Sequence, residues 1–162
     1  MSKVRLLLGC IWCSPLTAVG LLYVGTLQMM GWCSYLGPFG EALVWCLTDK
    51  APGWVVHKLL RHGGQTAGNI VILRHGLGSV HGQTNLRHEL EHVHQMLRLG
   101  LLYPYFYIIA WAALLATRNA DNFYDHPLEI DCRRAAGQTV DVIGAVQKAI
   151  GQGKLLKKQN DV

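Results

Sequence analysis

The chain has 162 residues and a formal charge of +5, with 51% hydrophobic and 15% charged residues. That length suits one domain, and the composition is too apolar for a disordered segment. The basic residues are scattered except for Lys154, Lys157 and Lys158, which argues against a nucleic-acid groove; the basic tail, residues 153–162, reads either as a segment for an anionic lipid surface or as a frayed soluble terminus.

From Leu6 to Gly40 there is no Asp, Glu, Lys, Arg or His. This run exceeds the ~20 residues that cross a bilayer, so residues 1–40 read as a hydrophobic membrane segment rather than a cleaved signal peptide. Pro15 and Gly37-Pro38 punctuate it and place the best single span at about Leu16 to Leu36, with Trp32 and Tyr35 suited to an interfacial belt. Two shorter spans are the alternative. Lys3 and Arg5 favour a cytoplasmic N-terminus, which with a single span places the site outside, whereas a free Cys132 and the basic tail favour the opposite side. The five cysteines are an odd number with three inside the apolar run, so no disulfide framework is implied, and Cys10-x-x-Cys13 reads as a pair of small hydrophobes.

Glu41 to Asp49 can continue a helix until Ala51-Pro52-Gly53 stops it. Trp54 to Leu60 and Asn69 to Leu73 are rich in branched and aromatic residues and flank the turn-like Arg61-His62-Gly63-Gly64-Gln65, which predicts an antiparallel β-hairpin. Gly76 to Asn85 reads as a loop that leads into a helix capped by Thr84 or Asn85 and ended by Gly100. Leu99 to Thr117 is free of charge. Pro104 starts a helix there that is short for a membrane span, so it reads as a buried or interfacial helix packed on its predecessor. After the polar loop Arg118 to His126, Pro127 opens a last helix to about Ala149.

On the central helix stands His88-Glu89-Leu90-Glu91-His92, an H-E-x-x-H sequence. Residues four apart share one helix face, so both imidazoles can bind one zinc ion beside a glutamate that serves as general base. A catalytic zinc keeps three protein ligands and an open position. The third ligand is best supplied by Glu129, near the start of the last helix; His81 and His126 are rivals on loops. Three of only four glutamates, Glu89, Glu91 and Glu129, fall in this constellation. Glu89 and Glu91 lie on either side of the histidines, so angle alone does not choose the base. Gln95 points toward the ligand face and His94 away from it. Asp125 and Asp131 are candidate acceptors for an imidazole N–H, and Tyr124 a candidate donor to a developing oxyanion. Glu89-x-x-His92 and Glu91-x-x-His94 both have the spacing of a di-iron site, but such a site needs one pair on each of two helices and Glu129 is followed at the third position by Cys132, whereas a non-catalytic zinc-binding membrane scaffold stays open.

His88-Glu89-x-x-His92 followed by Glu129 resembles the gluzincin metallopeptidases. More narrowly, His88-Glu89-Leu90-Glu91-His92-Val93-His94-Gln95 with Tyr124-Asp125-His126-Pro127-Leu128-Glu129 is similar to small bacterial membrane-associated proteins carrying H-E-x-x-H-V-x-Q. The resemblance implies a mainly α fold with a short β-hairpin, in which residues 41–152 form a minimal zincin-like core behind the membrane segment. It implies Zn²⁺ held by His88, His92 and Glu129, and Glu89 taking a proton from a zinc-bound water. It also implies a peptide or protein substrate aligned on a strand edge, for which Asn69 to Leu73 is the candidate, and a location at the bacterial inner membrane.

Overall fold

The computed structural model describes residues 3–116 and 126–138. It is mainly helical with one mixed four-stranded sheet, so the β part is larger than the expected hairpin. Helix α1 spans Lys3–Met29. Strands β1, Cys33–Phe39, and β2, Ala42–Leu47, form an antiparallel hairpin. A short π-helical turn at Val55–Leu59 precedes the second hairpin, β3, Gly64–Ala67, and β4, Ile70–Leu73. Helix α2 spans Val80–Leu99, a 3₁₀ turn covers Gly100–Leu102, and α3 and α4 span Tyr103–Ala116 and Pro127–Ala135. The sheet order is β1-β2-β4-β3, with β2 and β4 parallel.

Several expectations change here. The segment after Gly31 is sheet, so the helix of the apolar run is not Leu16 to Leu36; it starts before Pro15 and runs through it. Pro15 is solvent-facing, and the turns around it are pinned by packing on both sides, so the lost backbone bond does not end the helix. Gly31, at φ 73°, closes α1 through its amide to Gln28 and that of Trp32 to Leu27. Residues 42–47 form a strand rather than a helix because they pair with β1 on one side and β4 on the other. Trp54 to Leu60 forms no strand; its place in the second hairpin is taken by Gly64–Ala67, joined to β4 by the two-residue loop Gly68-Asn69 with Gly68 at φ 63°. Helix α2 starts one turn early because the Ser79 hydroxyl caps the Gly82 amide at 3.0 Å. Pro127 does open α4; the remainder of the expected helix to Ala149, and the basic tail, lie outside the described residues.

Both faces of the central strands are covered, as their near-continuous apolar runs require. Val44, Val71 and Leu73 meet Val93 and Leu97 of α2 on one face, and Trp45, Ile70 and Ile72 meet Val24 and Leu27 of α1 on the other. Helix α1 passes the end of the sheet at the β3–β4 loop, where a Cβ on Gly20 would lie 2.7 Å from the Ala67 carbonyl. Nearer its start, a Cβ on Gly9 would lie 2.7 Å from the Leu97 carbonyl, and Trp12 Nε1 donates to the Leu99 carbonyl at 2.8 Å. One stripe of α1 (Gly9, Cys13, Gly20, Val24, Leu27) is therefore buried, while Leu7, Leu8, Ile11, Val19 and Leu22 face outward.

Two helical stretches are long and apolar enough to cross a membrane, Leu6–Met29 and Val80–Leu115. In the second only the part from Leu99 onward lacks charge; α2 carries Arg87, Glu89, Glu91 and Arg98, and we do not read it as a span. Of the two expectations for α3, full burial is not met. Tyr103, Tyr107, Ala110 and Leu114 form an inward stripe, and Tyr105, Ile108, Ile109 and Trp111 are exposed.

Candidate metal centre

Helix α2 stacks His88 and His92 one turn apart, with ring centroids 5.0 Å apart. Helix α4 crosses them and delivers Glu129. Its Oε2 lies 3.1 Å from His88 Nε2 and its Oε1 lies 3.4 Å from His92 Nε2. Two zinc bonds of about 2.0–2.1 Å at a tetrahedral angle hold their donor atoms about 3.3 Å apart, and each imidazole lies at that separation from one of the two carboxylate oxygens. All three side chains are largely buried. The sequence-predicted triad is thus brought together across 41 residues.

Electrostatics point the same way. Burial alone would lift the Glu129 carboxyl and depress His92, yet hydrogen bonds from His88 and His92 hold Glu129 well below the usual carboxylate range. Against the same desolvation, hydrogen bonds from Cys132 and Glu129, with the charge of Glu89, raise His92 to about 11. The pocket therefore demands positive charge between carboxylate and imidazoles, and either protons or a metal cation satisfies it.

The ring of His92 is oriented from behind. Gln95 Oε1 lies 3.1 Å from Nδ1, and Gln95 Nε2 donates to the Leu128 carbonyl at 3.0 Å, which fixes the amide's orientation. An amide oxygen only accepts, so Nδ1 carries hydrogen in this arrangement, and a cation that displaces the Nε2 proton would meet the lone pair on the Glu129 side. Gln95 thereby ties the metal-facing ring of α2 to the first turn of α4. Tyr103 Oη and Cys132 Sγ also approach Nδ1, at 3.0 and 3.2 Å. Tyr107 donates to Glu129 Oε1 at 3.1 Å; burial, then the Glu129 charge, raises both tyrosine hydroxyls and keeps them protonated.

Donor atoms of His88, His92 and Cys132 lie within 4.8 Å of one another, and this group could bind a metal ion. Cys132 approaches Nδ1 of His92, whereas Glu129 faces Nε2, and one imidazole binds a given ion through one nitrogen only. Burial raises the Cys132 thiol, against the pull of His92, which disfavours the thiolate a metal needs.

Glu89 and Glu91 part company in three dimensions. Glu89 is buried beside β3: Thr66 Oγ1 donates to its Oε2 at 2.6 Å, and a Cβ on Gly64 would meet its Oε1 at 2.6 Å. Burial raises its pKa, with the two histidines and Thr66 pulling the other way. Glu91 pairs with His94, which also reaches Glu41, so the second Glu-x-x-His pair looks away from the metal centre and builds no second iron position among the described residues.

Other candidates are redistributed. Asp131 is exposed and bonds Arg134, because two residues from Glu129 is more than half a turn round α4; it is no acceptor for either imidazole. Tyr124 and Asp125 lie outside the described residues. His126 is fully buried, but its Nδ1 caps Leu128 and its Nε2 bonds the Tyr107 carbonyl, so it serves α4 rather than a metal. His81 sits near His75, with ring centroids 6.5 Å apart, and lines the cleft instead. The strand beside the centre is β3; β4 lies inside the sheet and has no free edge for the expected substrate pairing.

These groups form one side of a cleft of about 1050 Å³ between α2, β3, α3 and α4. Thr66, Gly64, Tyr103 and Tyr107 were not singled out from sequence; a serine, threonine or tyrosine without a motif gives no signal until the fold places it. Comparison with family models, with curated proteins and with solved structures finds no match to this chain.

Proposed function

We propose that this protein is a membrane-associated zinc-dependent peptidase with a minimal zincin-like core, in which His88, His92 and Glu129 hold the ion and Glu89 is the general base. The observation that carries this reading is the convergence of both imidazole Nε2 atoms on the Glu129 carboxylate, at 3.1 and 3.4 Å, next to a separate buried carboxylate. When bound, zinc supplies a Lewis acid that polarises a scissile carbonyl and acidifies water.

The chain's own groups account for the rest. Glu89 keeps Oε2 on the Thr66 hydroxyl, which fixes the carboxylate plane; it takes the proton of the attacking water and returns it to the leaving amine. A carboxylate raised by burial is a stronger base than an exposed one. The edge of β3 can align an extended peptide by backbone pairing beside Glu89. Protonated Tyr103 and Tyr107 line the same cleft as hydrogen-bond donors. The exposed apolar surfaces of α1 and α3 seat the protein at a lipid bilayer.

The experiment is a metal analysis of purified wild type against His88→Ala and Glu129→Ala, followed by peptide turnover with Glu89→Gln. One zinc lost in either ligand variant, and turnover lost in Glu89→Gln with zinc retained, is the expected pattern. A second reading, a zinc-binding membrane scaffold, is favoured by the position of Cys132 near both histidines. Zinc that persists in Glu129→Ala but not in Cys132→Ser, with no turnover in any form, would establish it instead.

A further inference from the structure

The cleft is not uniform along β3. Helix α2 and strand β3 run in the same direction: Asn85 lies against Gly63, Glu89 against Gly64 and Thr66, and the Gly68 amide donates to Met96 Sδ. Beyond Gly63 the wall consists of Arg61, Arg74, His75 and His81. The Arg74 amide donates to the Gly63 carbonyl at 2.9 Å, which brings the two arginine-bearing segments together at the start of β3. Past Ala67 the wall is Leu16, Met96, Pro104 and Ile108. The centre of Glu89, His92 and Glu129 lies between these ends.

Charge is unbalanced at the first end. Among the described residues Glu89 and Glu129 are the only lining carboxylates; Glu89 bonds Thr66 and Glu129 faces the two histidines. Among the described residues, neither Arg61 nor Arg74 is ion-paired. A guanidinium remains charged at every working pH and offers a fork of donors matched to a carboxylate.

We propose that the cleft selects an extended peptide with a carboxylate on the side of the cut that faces Arg61 and Arg74, and apolar residues on the side that faces Leu16 and Ile108. The proposal rests on the peptidase reading and names its substrate class. At about 3.3 Å per residue, a strand laid along β3 places the carboxylate within about three residues of the scissile bond. That carboxylate belongs either to an Asp or Glu side chain or to the peptide's own C-terminus; the recognition chemistry is the same. A lysine in its place meets like charge, so the site also rejects the wrong partner.

The test uses the full chain in detergent or lipid nanodiscs, zinc-loaded and carrying Glu89→Gln, so that binding is read without cleavage. Short fluorescent peptides share one apolar half and carry Asp, Asn or Lys in the other, each with a free or amidated C-terminus. The carboxylate peptides bind about tenfold tighter than the Asn amide, and the advantage shrinks with salt. The Asp amide and the Asn free acid separate the two sources of carboxylate. Arg61→Ala and Arg74→Ala each reduce the preference, and the double variant Arg61→Glu/Arg74→Glu turns it toward Lys, which a misfolded protein cannot do. Equal affinity for all peptides overturns the proposal. So does a preference that survives double charge reversal, or capture of anionic vesicles with no peptide discrimination. Peptides that bind with the expected order but are never cut by the wild type defeat the peptidase reading alone; peptides cut without regard to charge defeat the polarised cleft alone.

Discussion

Gly64 of β3 lies directly on the carboxyl of Glu89, so that a Cβ at position 64 would fall 2.6 Å from Oε1 and 2.8 Å from Cγ. The absence of a side chain on the edge strand is thus what lets Glu89, the proposed general base, sit between strand and helix. Gly64→Ala should displace the carboxylate by a fraction of an ångström while leaving His88, His92 and Glu129 in place. We expect turnover to fall by up to about 100-fold at unchanged zinc content, since small displacements of a reacting group cost about that much. Parallel metal analysis and peptide assays check it; a fall in zinc matching the fall in rate would assign the damage to the metal centre.

Gln95 is expected to act through His92. Gln95→Ala removes the acceptor at Nδ1 and the bridge to the Leu128 carbonyl, and should weaken zinc affinity by about 10–100-fold, measured by competition with a chelator. Gln95→Glu restores the acceptor for the imidazole but not the donor to Leu128, and should recover part of the loss. No difference between the two variants would place the effect in the helix contact rather than in the ring.

For the metal-free protein, pH dependence follows from the two shifted groups. His92 is raised to about 11, so its contribution is complete below the ordinary histidine value of about 6.5 and disappears as pH climbs toward about 11. Glu129 is lowered, so its contribution is complete above the ordinary glutamate value of about 4.3 and disappears on acidification. Chelator-treated protein should therefore melt highest near pH 5 to 6 and lower at pH 9, with the alkaline loss reduced in His92→Gln. A melting temperature that rises from pH 6 to 9 would contradict the assignment.

Gly100 joins α2 to the 3₁₀ turn at φ 53°, and a Cβ there would collide with the Trp12 ring of α1. Gly100→Ala combines backbone strain with loss of that contact and should cost about 1–3 kcal/mol of stability, read as a lower thermal midpoint in detergent. Trp12→Phe, which removes only the hydrogen bond to Leu99, should cost about 1 kcal/mol.

Much of the candidate site was legible because a helix converts spacing into geometry: His88 and His92 needed only the 3.6-residue turn, and Pro127 announced the helix that carries Glu129. Helix angle alone did not separate Glu89 from Glu91, because both flank the histidines; the resemblance named Glu89, and the contacts with Gly64 and Thr66 are what place it, and not Glu91, beside β3. The sheet was read least well. Ala42–Leu47 is an apolar run that suits a buried strand or a helix equally, and its pairing with β4 joins segments with no local signal. Two turns do carry a local signal: Gly40-Glu41 between β1 and β2, and Gly68-Asn69 between β3 and β4, each with glycine at positive φ in a two-residue loop. Helix α1 was located by its lack of charge, but its true limits depend on Gly31 and on the packing that carries it through Pro15.

The packing of α1 has a further consequence. Because this helix touches the end of α2, the β3–β4 loop and the cleft wall at Leu16, it is built into the body that holds the cleft and leaves no flexible leash between anchor and centre. With α1 seated in lipid, the height of the cleft above or within the bilayer is set by the fold itself. Substrates would then be sorted by depth as well as by sequence: a bond lying too far from the lipid surface would be out of reach however well its flanking residues matched.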